Sequence, residues 1–546
     1  MVVLNCNYYY LNITTLKNST ILDVAIIGGG ISGVYSAWRL KKSVTYASSK
    51  IALFEQSNRI GGRLLSVTPP GMPNTRCELG GMRFLSNQKY VSGIVNFLDF
   101  ELKDEDVYEE NNIAYLRGIR LRFKELVDKE LLPYNLQFPE QGKTSDQILN
   151  IALESIIPGV TTKKGEELKT FLQQYKVNGR YLYEYGFWNL LSLSLSNEAI
   201  NYIKKAGGYD STFQNWNAYD TIVLNFDLTA TDNSYHMMVD GYEQLPITLV
   251  DQFLNLGGEV NMFHSLSSIN SILIEGEQLF ELKFSINGSS KIIYARKTIL
   301  AMPKRALELI EQKGNIFNKG NTTLNTLMNA VTPIPLFKMF ICYPYPWWEQ
   351  VGVSKGRSVT DLPIRQTYYW GVENQTENGN KENTNAVLMA SYDDGDSVYF
   401  WKGLESKKNE KPLFFTTQEH AHKEEETSLW EKYKSPDLMV NYMDAQIKEM
   451  HGVKYAPAPF AACFKDWSED PYGGGVNFWN IGEKSWEVIP RIAKPLNNMD
   501  LFICGEAYSN GQGWVEGALE TAELVLQDHF KLSAPAWIEK KENIES

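Results

Sequence analysis

The sequence predicts an α/β fold, and three stretches carry this prediction. Near the start of the chain, the apolar run Val24–Ile27 has the composition of a buried parallel strand, and glycines and a helix-like pattern follow it. A second apolar run, Ile51–Phe54, comes after that helix. Far along the chain, Leu501–Glu506 is again strand-like and precedes a helical pattern over Val515–His529. Strands that alternate with helices are typical of a parallel sheet. Here the two ends of the chain would share one domain.

The turn after the first strand has the spacing of a nucleotide-binding loop. Gly28, Gly30 and Gly33 stand in a G-x-G-x-x-G frame between strand and helix. In that frame the first glycine permits the tight turn, the second lets the backbone approach a pyrophosphate, and the third lets helix and strand pack closely. The helix N-terminus then offers free amides to the phosphates. Glycine-rich turns also serve as ordinary connections, so the frame alone is not specific.

Two neighbouring features favour a dinucleotide. Glu55 ends the second strand 22 residues after Gly33, where a carboxylate can accept hydrogen bonds from an adenosine ribose. The alternative for Glu55 is a solvated charge at a strand end. The segment Arg59–Arg63 (RIGGR) then places a glycine pair and two guanidinium groups beside the loop, and guanidinium groups bind phosphate oxygens in a bidentate manner. The whole unit therefore predicts a Rossmann-like dinucleotide-binding domain.

Composition excludes several other classes of protein. The length of 546 residues indicates two or three domains. A net charge of −12 argues against nucleic-acid binding and against attraction to anionic membranes. The five cysteines form no CxxC pair and the six histidines form no HExxH motif, so neither a metal site nor a disulfide framework is expected. The chain has no apolar run of membrane-spanning length, and its first twenty residues do not resemble a signal peptide. We therefore expect a cytoplasmic protein.

The composition and hydrophobic periodicity of the sequence change along the chain and predict three domains, two of them discontinuous. The ranges are 20–85, 238–310 and 460–530 for the nucleotide-binding domain, 86–119 and 311–459 for a substrate-binding domain, and 120–237 for a mainly helical domain. Two polar tracts, 372–385 and 404–427, are predicted to be exposed loops or insertions.

Several motifs together resemble the flavin amine oxidase family and, within it, the bacterial-type L-amino acid oxidases. They match in kind and order, from about residue 22 to about residue 528: GGGISG, RIGGR, LGGMRF, GFWNLLSLSLS and GEAYSNGQGWVEGALETAE. The resemblance implies an FAD-binding domain that is Rossmann-like and discontinuous, a substrate domain with a mixed sheet, and a helical insertion. Monoamine oxidases bind flavin covalently through a cysteine in the region here written PYGGGVNFW, 471–479. This chain has no cysteine there, so noncovalent FAD is expected.

The resemblance also assigns residues to the cofactor. Those expected to contact FAD are Gly28, Gly30, Gly33, Glu55, Arg63, Gly81, Met82, Arg83, Val260, Glu506, Gly513 and Trp514.

Four residues are expected to act on the substrate by the same resemblance. Lys338 would hold a water near the flavin N5 nitrogen; the alternative is a lysine that extends from a strand edge to solvent. Arg83 would bind the substrate carboxylate, or else form a salt bridge with an acid such as Glu78. Tyr392 would donate a second hydrogen bond to that carboxylate. Trp514 would border the flavin ring and the substrate amine, unless it belongs to the core.

The implied reaction is the oxidative deamination of an L-amino acid to a 2-oxo acid, ammonia and hydrogen peroxide, with dioxygen as acceptor. Alternatives are an amine or polyamine oxidase, a flavin-dependent amino-acid monooxygenase, and a scaffold protein whose FAD is structural. The expected partners are the amino acid and dioxygen, in a homo-oligomer without nucleic acid or membrane. Asp393, Asp394 and Asp396 follow Tyr392. They would either favour a cationic substrate side chain or form an acidic surface loop.

Overall fold

The computed structural model describes residues 21–211, 214–229, 233–405 and 428–539. The first twenty residues and most of the polar tract 404–427, from residue 406 onwards, therefore lie outside the described residues.

The strands and helices alternate in blocks along the chain. The strands are β1 (Ile21–Ile27), β2 (Ile51–Phe54), β3 (Ser66–Val67), β4 (Cys77–Glu78), β5 (Phe84–Leu85), β6 (Leu102–Asp104), β7 (Ile113–Leu116), β8 (Ile119–Arg122), β9 (Lys176–Val177), β10 (Arg180–Tyr181), β11 (Tyr235–Met238), β12 (Glu259–Asn261), β13 (Ser265–Ile274), β14 (Glu277–Ile286), β15 (Ser289–Leu300), β16 (Val331–Ile334), β17 (Leu336–Tyr343), β18 (Arg357–Thr360), β19 (Gln366–Val372), β20 (Ala386–Asp394), β21 (Ala461–Asp466), β22 (Val476–Trp479) and β23 (Leu501–Ile503). The helices are α1 (Ile31–Lys42), α2 (Lys89–Phe97), α3 (Ser145–Ile156), α4 (Gly165–Gln174), α5 (Phe187–Leu191), α6 (Asn197–Gly207), α7 (Ala218–Thr229), α8 (Gln244–Asn255), α9 (Lys304–Glu308), α10 (Thr322–Met328), α11 (Val398–Lys402), α12 (Leu429–Lys432), α13 (Asp437–His451), α14 (Ser485–Ala493), α15 (Val515–Asp528) and α16 (Ala536–Glu539).

The first large sheet joins distant parts of the chain. Its order is β12-β2-β1-β15-β14-β13, with β23 also paired to β15. β12, β2, β1 and β23 run parallel to their neighbours, whereas β13, β14 and β15 form an antiparallel meander. Along β1, Val24 and Ile26 belong to one hydrophobic core and Ala25 and Ile27 to another. Because both faces of β1 are covered, the strand is apolar without interruption. The predicted α/β fold with a discontinuous Rossmann-like unit is confirmed.

The second large sheet is mixed, in the order β21-β17-β20-β19-β18-β7-β8. Its pairs are antiparallel except for β18 with β7, which are parallel. Along β17, alternate side chains face opposite cores, so Lys338 shares a face with Phe340 and Cys342. The register sets Lys338 directly opposite Tyr392 of β20.

The helices of the predicted helical domain, 120–237, begin only at Ser145. Its helices α3 to α7 span Ser145 to Thr229 and pack around a separate core. Residues 120–122 instead belong to β8, at the edge of the second sheet. The boundaries of the three predicted domains stay predictions.

The described ranges contain neither a helix that could span a membrane nor a cluster of possible metal ligands. Each described helix is too short or too polar to cross a bilayer. Within the same ranges, histidine, cysteine and acidic side chains form no group of three or more that could ligate a metal ion.

Candidate active site

A cavity of about 600 Å³ runs from the turn after β1 to the second sheet. The sheets and the helical stretch all contribute to its walls. Fourteen positions were expected to contact cofactor or substrate, and all but two of them, Gly33 beneath the turn and Val260, line this cavity: they are Gly28, Gly30, Glu55, Arg63, Gly81, Met82, Arg83, Lys338, Tyr392, Glu506, Gly513 and Trp514.

The glycine turn has the geometry that a pyrophosphate requires. Gly28 has φ +113°, and a Cβ atom there would lie 2.3 Å from the carbonyl oxygen of Ala301. A Cβ atom on Gly33 would lie 1.9 Å from the carbonyl oxygen of Gly28. At Gly30, by contrast, a Cβ atom would meet only the Cα atom of Gly62, at 3.9 Å. Two glycines therefore permit close packing, and the third leaves open space where a phosphate can approach.

Glu55 is not a solvated charge, since only 8% of its surface is exposed. Its Oε2 atom accepts a hydrogen bond from the Gly29 amide at 2.7 Å, and its Oε1 atom accepts one from the Ser57 amide at 2.8 Å. Each carboxylate oxygen has a further lone pair that a ribose hydroxyl can use. The residues present therefore fit the adenosine part of FAD.

One of the two arginines of RIGGR lines the cavity and the other does not. Arg63 forms an ion pair with Glu506 at 2.9 Å and donates a hydrogen bond to the Gly475 carbonyl at 2.6 Å. Arg59 instead donates to carbonyls of its own turn, including that of Leu64 at 2.8 Å. The donors of Arg59 therefore satisfy turn carbonyls, and cofactor binding by Arg63 stays a prediction.

Val260 is placed differently from the other cofactor candidates. It lies on β12 and packs against the core beneath α1. Near Glu55 the cavity is lined instead by His264, Ser265, Leu266 and Ser267, and the His264 amide donates to the Glu55 carbonyl at 2.8 Å. Residues 264–267 were not predicted to line the site, and the only indication of them in the sequence is their position shortly after the strand β12. Cofactor contact by Val260 stays a prediction.

Lys338 is buried at the bottom of the cavity and does not extend to solvent, since only 4% of its surface is exposed. Its Nζ atom donates hydrogen bonds to the carbonyls of Gly80 at 2.6 Å and Glu78 at 3.3 Å. It also lies 4.6 Å from the centre of the Tyr392 ring. Burial lowers the pKa of Lys338 to about 7, against the attraction of the Glu78 carboxylate. This amine can change its charge near neutral pH.

Glu78 is the acid of this pair and does not bind Arg83. Its carboxylate accepts hydrogen bonds from the Tyr242 amide and the Ser66 hydroxyl, each at 2.8 Å. Burial raises the pKa of Glu78 to about 7, while these hydrogen bonds and Lys338 act in the opposite direction.

Arg83 has a different acidic partner from the one suggested by the sequence. Its Nη1 atom donates to Glu105 at 2.9 Å and its Nη2 atom donates to the Tyr368 hydroxyl at 3.3 Å. Its guanidinium carbon lies 4.2 Å from the centre of the Tyr235 ring. The salt bridge is real, but it leaves three of the five guanidinium hydrogens for another acceptor.

Aromatic and aliphatic side chains line the cavity beside Lys338, and some of them come from the helical stretch, in which the sequence analysis named no site residue. Tyr209, which follows α6, meets Tyr392 edge to face with ring centres 5.4 Å apart. Leu224 and Leu228 of α7 also line the cavity. Trp514 caps α15 and is half-buried in the cavity wall, so it is not part of the core. Sequence patterns gave no signal for Tyr209, because it comes from a loop of the helical stretch.

The acidic run after Tyr392 is neither a free anionic wall nor a surface loop. Asp393 and Asp394 are buried, and Asp396 is exposed. The Asp394 carboxylate accepts hydrogen bonds from the amides of Asp210 at 2.7 Å and Ser211 at 3.3 Å, and from the Ser211 hydroxyl. Asp394 thus attaches the loop that carries Tyr209. Burial raises its pKa to about 6.

Known proteins are similar to this chain over most of its length. Aplysianin-A from Aplysia kurodai is 26% identical over 93% of this chain and 90% of its own length. Achacin from Lissachatina fulica is 26% identical over 93% of both chains. An L-amino-acid oxidase from Notechis scutatus scutatus is 22% identical over 92% of this chain and 86% of its own.

A solved structure supports the fold. Wild-type putrescine oxidase bound to putrescine superposes with a TM-score of 0.66 at 16% identity, covering 94% of this chain and all of the other. The family model described as "Flavin containing amine oxidoreductase" matches residues 31–526. Together with a cavity whose residues fit a flavin dinucleotide, this match shows that the chain belongs to the flavin-containing amine oxidoreductases.

Proposed function

We propose that this protein is an L-amino acid oxidase that binds FAD noncovalently. The reaction consumes an L-amino acid, dioxygen and water and yields a 2-oxo acid, ammonia and hydrogen peroxide. When bound, FAD would supply the redox chemistry, as acceptor of a hydride from the α carbon and as donor of two electrons to dioxygen.

The observation that carries the proposal is the position of Arg83. A guanidinium group with three unused hydrogens lines the same cavity as Lys338 and Tyr392. It suits a carboxylate by charge and by geometry. An amine substrate has no carboxylate to place there. The similarity to proteins named L-amino-acid oxidase supports the same conclusion.

Each residue then has a defined task. Arg83 and Tyr392 bind the carboxylate and so fix the orientation of the α C–H bond. Lys338, whose pKa burial lowers to about 7, keeps a water in place at the cavity floor. Tyr209, Tyr235 and Trp514 exclude bulk water from the reacting atoms. The substrate amine must be uncharged when it reacts, and we assign no protein base to it.

A second candidate function is the oxidation of amines or polyamines. It is favoured by one observation: Glu105 already neutralises Arg83. The putrescine oxidase neighbour, at 16% identity, supports the fold alone.

Substrate panels distinguish these functions. Oxygen consumption and peroxide formation are measured with the twenty L-amino acids, their D-enantiomers, and amines that include putrescine. The proposal requires turnover of at least one L-amino acid and little turnover of its matching amine. Preference for amines would overturn it. An amide and carbon dioxide as products would identify a monooxygenase, and absence of turnover with intact FAD would identify a structural flavin.

A further inference from the structure

A second arginine approaches the substrate end of the cavity from behind the tyrosines. Arg357 is the first residue of β18, in the second sheet. Its guanidinium carbon lies 5.5 Å from the centre of the Tyr209 ring, on which it stacks from outside the cavity. Tyr209 is itself a wall of the cavity, together with Arg83 and Tyr392. One aromatic ring therefore separates Arg357 from the space where a substrate would bind.

Hydrogen bonds connect Arg357 to Arg83. Arg83 donates to the Tyr368 hydroxyl at 3.3 Å, and Tyr368 donates to Oε1 of Gln366 at 3.5 Å. The same Gln366 oxygen accepts a hydrogen bond from Nη1 of Arg357. The Gln366 amide nitrogen lies 3.5 Å from the Tyr392 carbonyl and so links Tyr392 to the same network. The two guanidinium groups thus belong to one network.

This network is fixed by packing. Gln366 and Tyr368 are almost completely buried. A Cβ atom on Gly208, the residue directly after α6, would lie 2.7 Å from Cγ of Gln366. Little space is therefore left between the end of α6 and the Gln366 side chain, so packing holds in place the glutamine that accepts a hydrogen bond from Arg357.

The charges in this network do not balance. Arg83 has a carboxylate partner, Glu105, with an N–O distance of 2.9 Å. In the described parts of the chain, Arg357 has no carboxylate within the 4.0 Å of an ion pair. Two permanently charged guanidinium groups and one carboxylate leave one positive charge. The charges on the two arginines repel each other.

Other nearby charges do not cancel this excess. Asp210 forms ion pairs with Lys205 and Arg365, each at 3.2 Å. Asp394 is occupied by the loop amides at Asp210 and Ser211. Burial raises the pKa of Asp393 well above its ordinary value, which favours its uncharged form. Asp394 also lines the cavity, but the two carboxylates of Asp210 and Asp394 lie beside the two cations Lys205 and Arg365, so this cluster is balanced by itself.

We propose that Arg357 is a positioning residue that supplies the unbalanced positive charge by which the substrate site selects a carboxylate, while Arg83 makes the direct contact. This proposal rests on the proposed function. One substrate carboxylate completes the charge balance, so the site favours substrates whose carboxyl group is intact. An amine leaves the excess charge in place and adds to it when protonated.

The test uses the FAD-loaded enzyme and two ligands of equal shape. Benzoate carries a carboxylate and benzamide is its neutral match, and binding of each is followed by the change in flavin absorbance. Arg357→Gln is expected to weaken benzoate binding roughly tenfold or more while benzamide binding changes less than about twofold. Arg357→Lys keeps the charge and should stay within about threefold of wild type for both ligands.

Glu105→Gln changes the charge of the same network in the opposite sense to Arg357→Gln. Removal of that carboxylate increases the excess charge, so benzoate should bind more tightly than to wild type. In steady state, Arg357→Gln should raise KM for an L-amino acid more than it lowers kcat, because the carboxylate is bound both before and during the reaction.

Several results would overturn the proposal. One is a wild-type enzyme without preference for benzoate over benzamide. Another is unchanged benzoate binding in Arg357→Gln with full FAD content. Equal losses for both ligands in Arg357→Gln and Arg357→Lys would mean that the residue only supports the fold. If Arg357→Gln does not fold, weaker benzoate binding in Glu105→Gln overturns the proposal. Failure of the oxidase function itself would appear separately, as absence of turnover in wild type with carboxylate selectivity intact.

Discussion

At the scale of single residues, the cavity is defined by ionisable groups that are buried. Lys338 and Glu78 have pKa values that burial brings towards neutrality from opposite sides, each to about 7. Arg83 and Arg357 cannot respond in this way, because a guanidinium group stays protonated in proteins. The cavity therefore combines a pair whose charge follows pH with two charges that do not change.

Arg83→Met tests the choice between amino acid and amine. Loss of one partner of a buried charge pair typically costs about 2–5 kcal/mol, or roughly 30- to 4,000-fold in kcat/KM for the L-amino acid. The variant also leaves Glu105 without its partner, and this second effect falls on both substrates. The measurement is therefore the ratio of kcat/KM for an L-amino acid to that for its decarboxylated amine, which should fall. Equal losses on both substrates, with FAD retained, would remove Arg83 from the substrate site.

Lys338→Met should slow the half-reactions of the flavin while the protein keeps its fold and its FAD. Methionine fills the space of the lysine chain but cannot bind a water or change charge. In wild type the amine loses its proton as the pH rises through about 7. Rapid-mixing kinetics should show a pH dependence in that range for wild type and a flatter one for the variant. Unchanged rates and an unchanged pH profile would restrict the lysine to a structural role.

At the scale of elements, local sequence predicts the strands and helices but not their meeting points. The glycine frame, the strand before Glu55 and the helix predicted over Val515–His529 are set by patterns within a few residues, and the structure has this strand at Ile51–Phe54 and this helix at Val515–Asp528. Arg63 pairs with Glu506, which lies 443 residues further along the chain. Glu105 pairs with Arg83, and Asp394 binds the loop of Tyr209. Such partners depend on tertiary packing, which no local pattern records.

The turn between β1 and α1 offers a matched pair of variants. Gly33→Ala places a Cβ atom 1.9 Å from the Gly28 carbonyl oxygen and should lower the free energy of unfolding by about 2 kcal/mol or more. Gly30→Ala meets only open space beside Gly62, and its φ of −73° suits alanine. This variant should fold normally and lose FAD affinity. Thermal unfolding and flavin absorbance separate the two effects, and normal FAD content in a folded Gly30→Ala would contradict a pyrophosphate at that position.

We expect His451, the last residue of α13, to make the stability of the protein depend on acid pH. A helix C-terminus usually favours a charged histidine, yet burial prevails and lowers the pKa of His451 to about 4. Its Nδ1 atom lies 2.7 Å from the Ile447 carbonyl and its Nε2 atom 2.9 Å from the Tyr369 hydroxyl. Between pH 4 and the unfolded pKa of about 6.5 the unfolded chain binds more protons, so stability falls as the pH falls.

Urea unfolding of wild type and His451→Gln over pH 4.5 to 7 measures this contribution. Glutamine removes the titration, so the variant should show a smaller decrease in the free energy of unfolding towards low pH. Parallel curves for the two proteins would show that other groups cause the acid sensitivity.

At the scale of the whole molecule, the flavin should be held by packing and hydrogen bonds alone. The cysteines of the described residues, Cys77, Cys342, Cys463 and Cys504, are all buried, and none of these four lines the cavity. Acid or heat should therefore release yellow FAD into the supernatant. Flavin fluorescence that stays with the polypeptide on a denaturing gel would contradict noncovalent binding. The homo-oligomer likewise stays a prediction, to be measured by light scattering.

The position of β23 in the first sheet has a consequence for the order in which the protein matures. β1 and β23 both pair with β15, but about 480 residues separate them in the chain. At roughly 5–20 residues per second, a ribosome needs about 24 to 96 s to travel from one to the other. The glycine turn is therefore synthesised well before Glu506 and Trp514, which line the same cavity. Until β23 and the residues after it have been synthesised, the cavity lacks part of its wall, so we expect flavin to bind only after that point of synthesis.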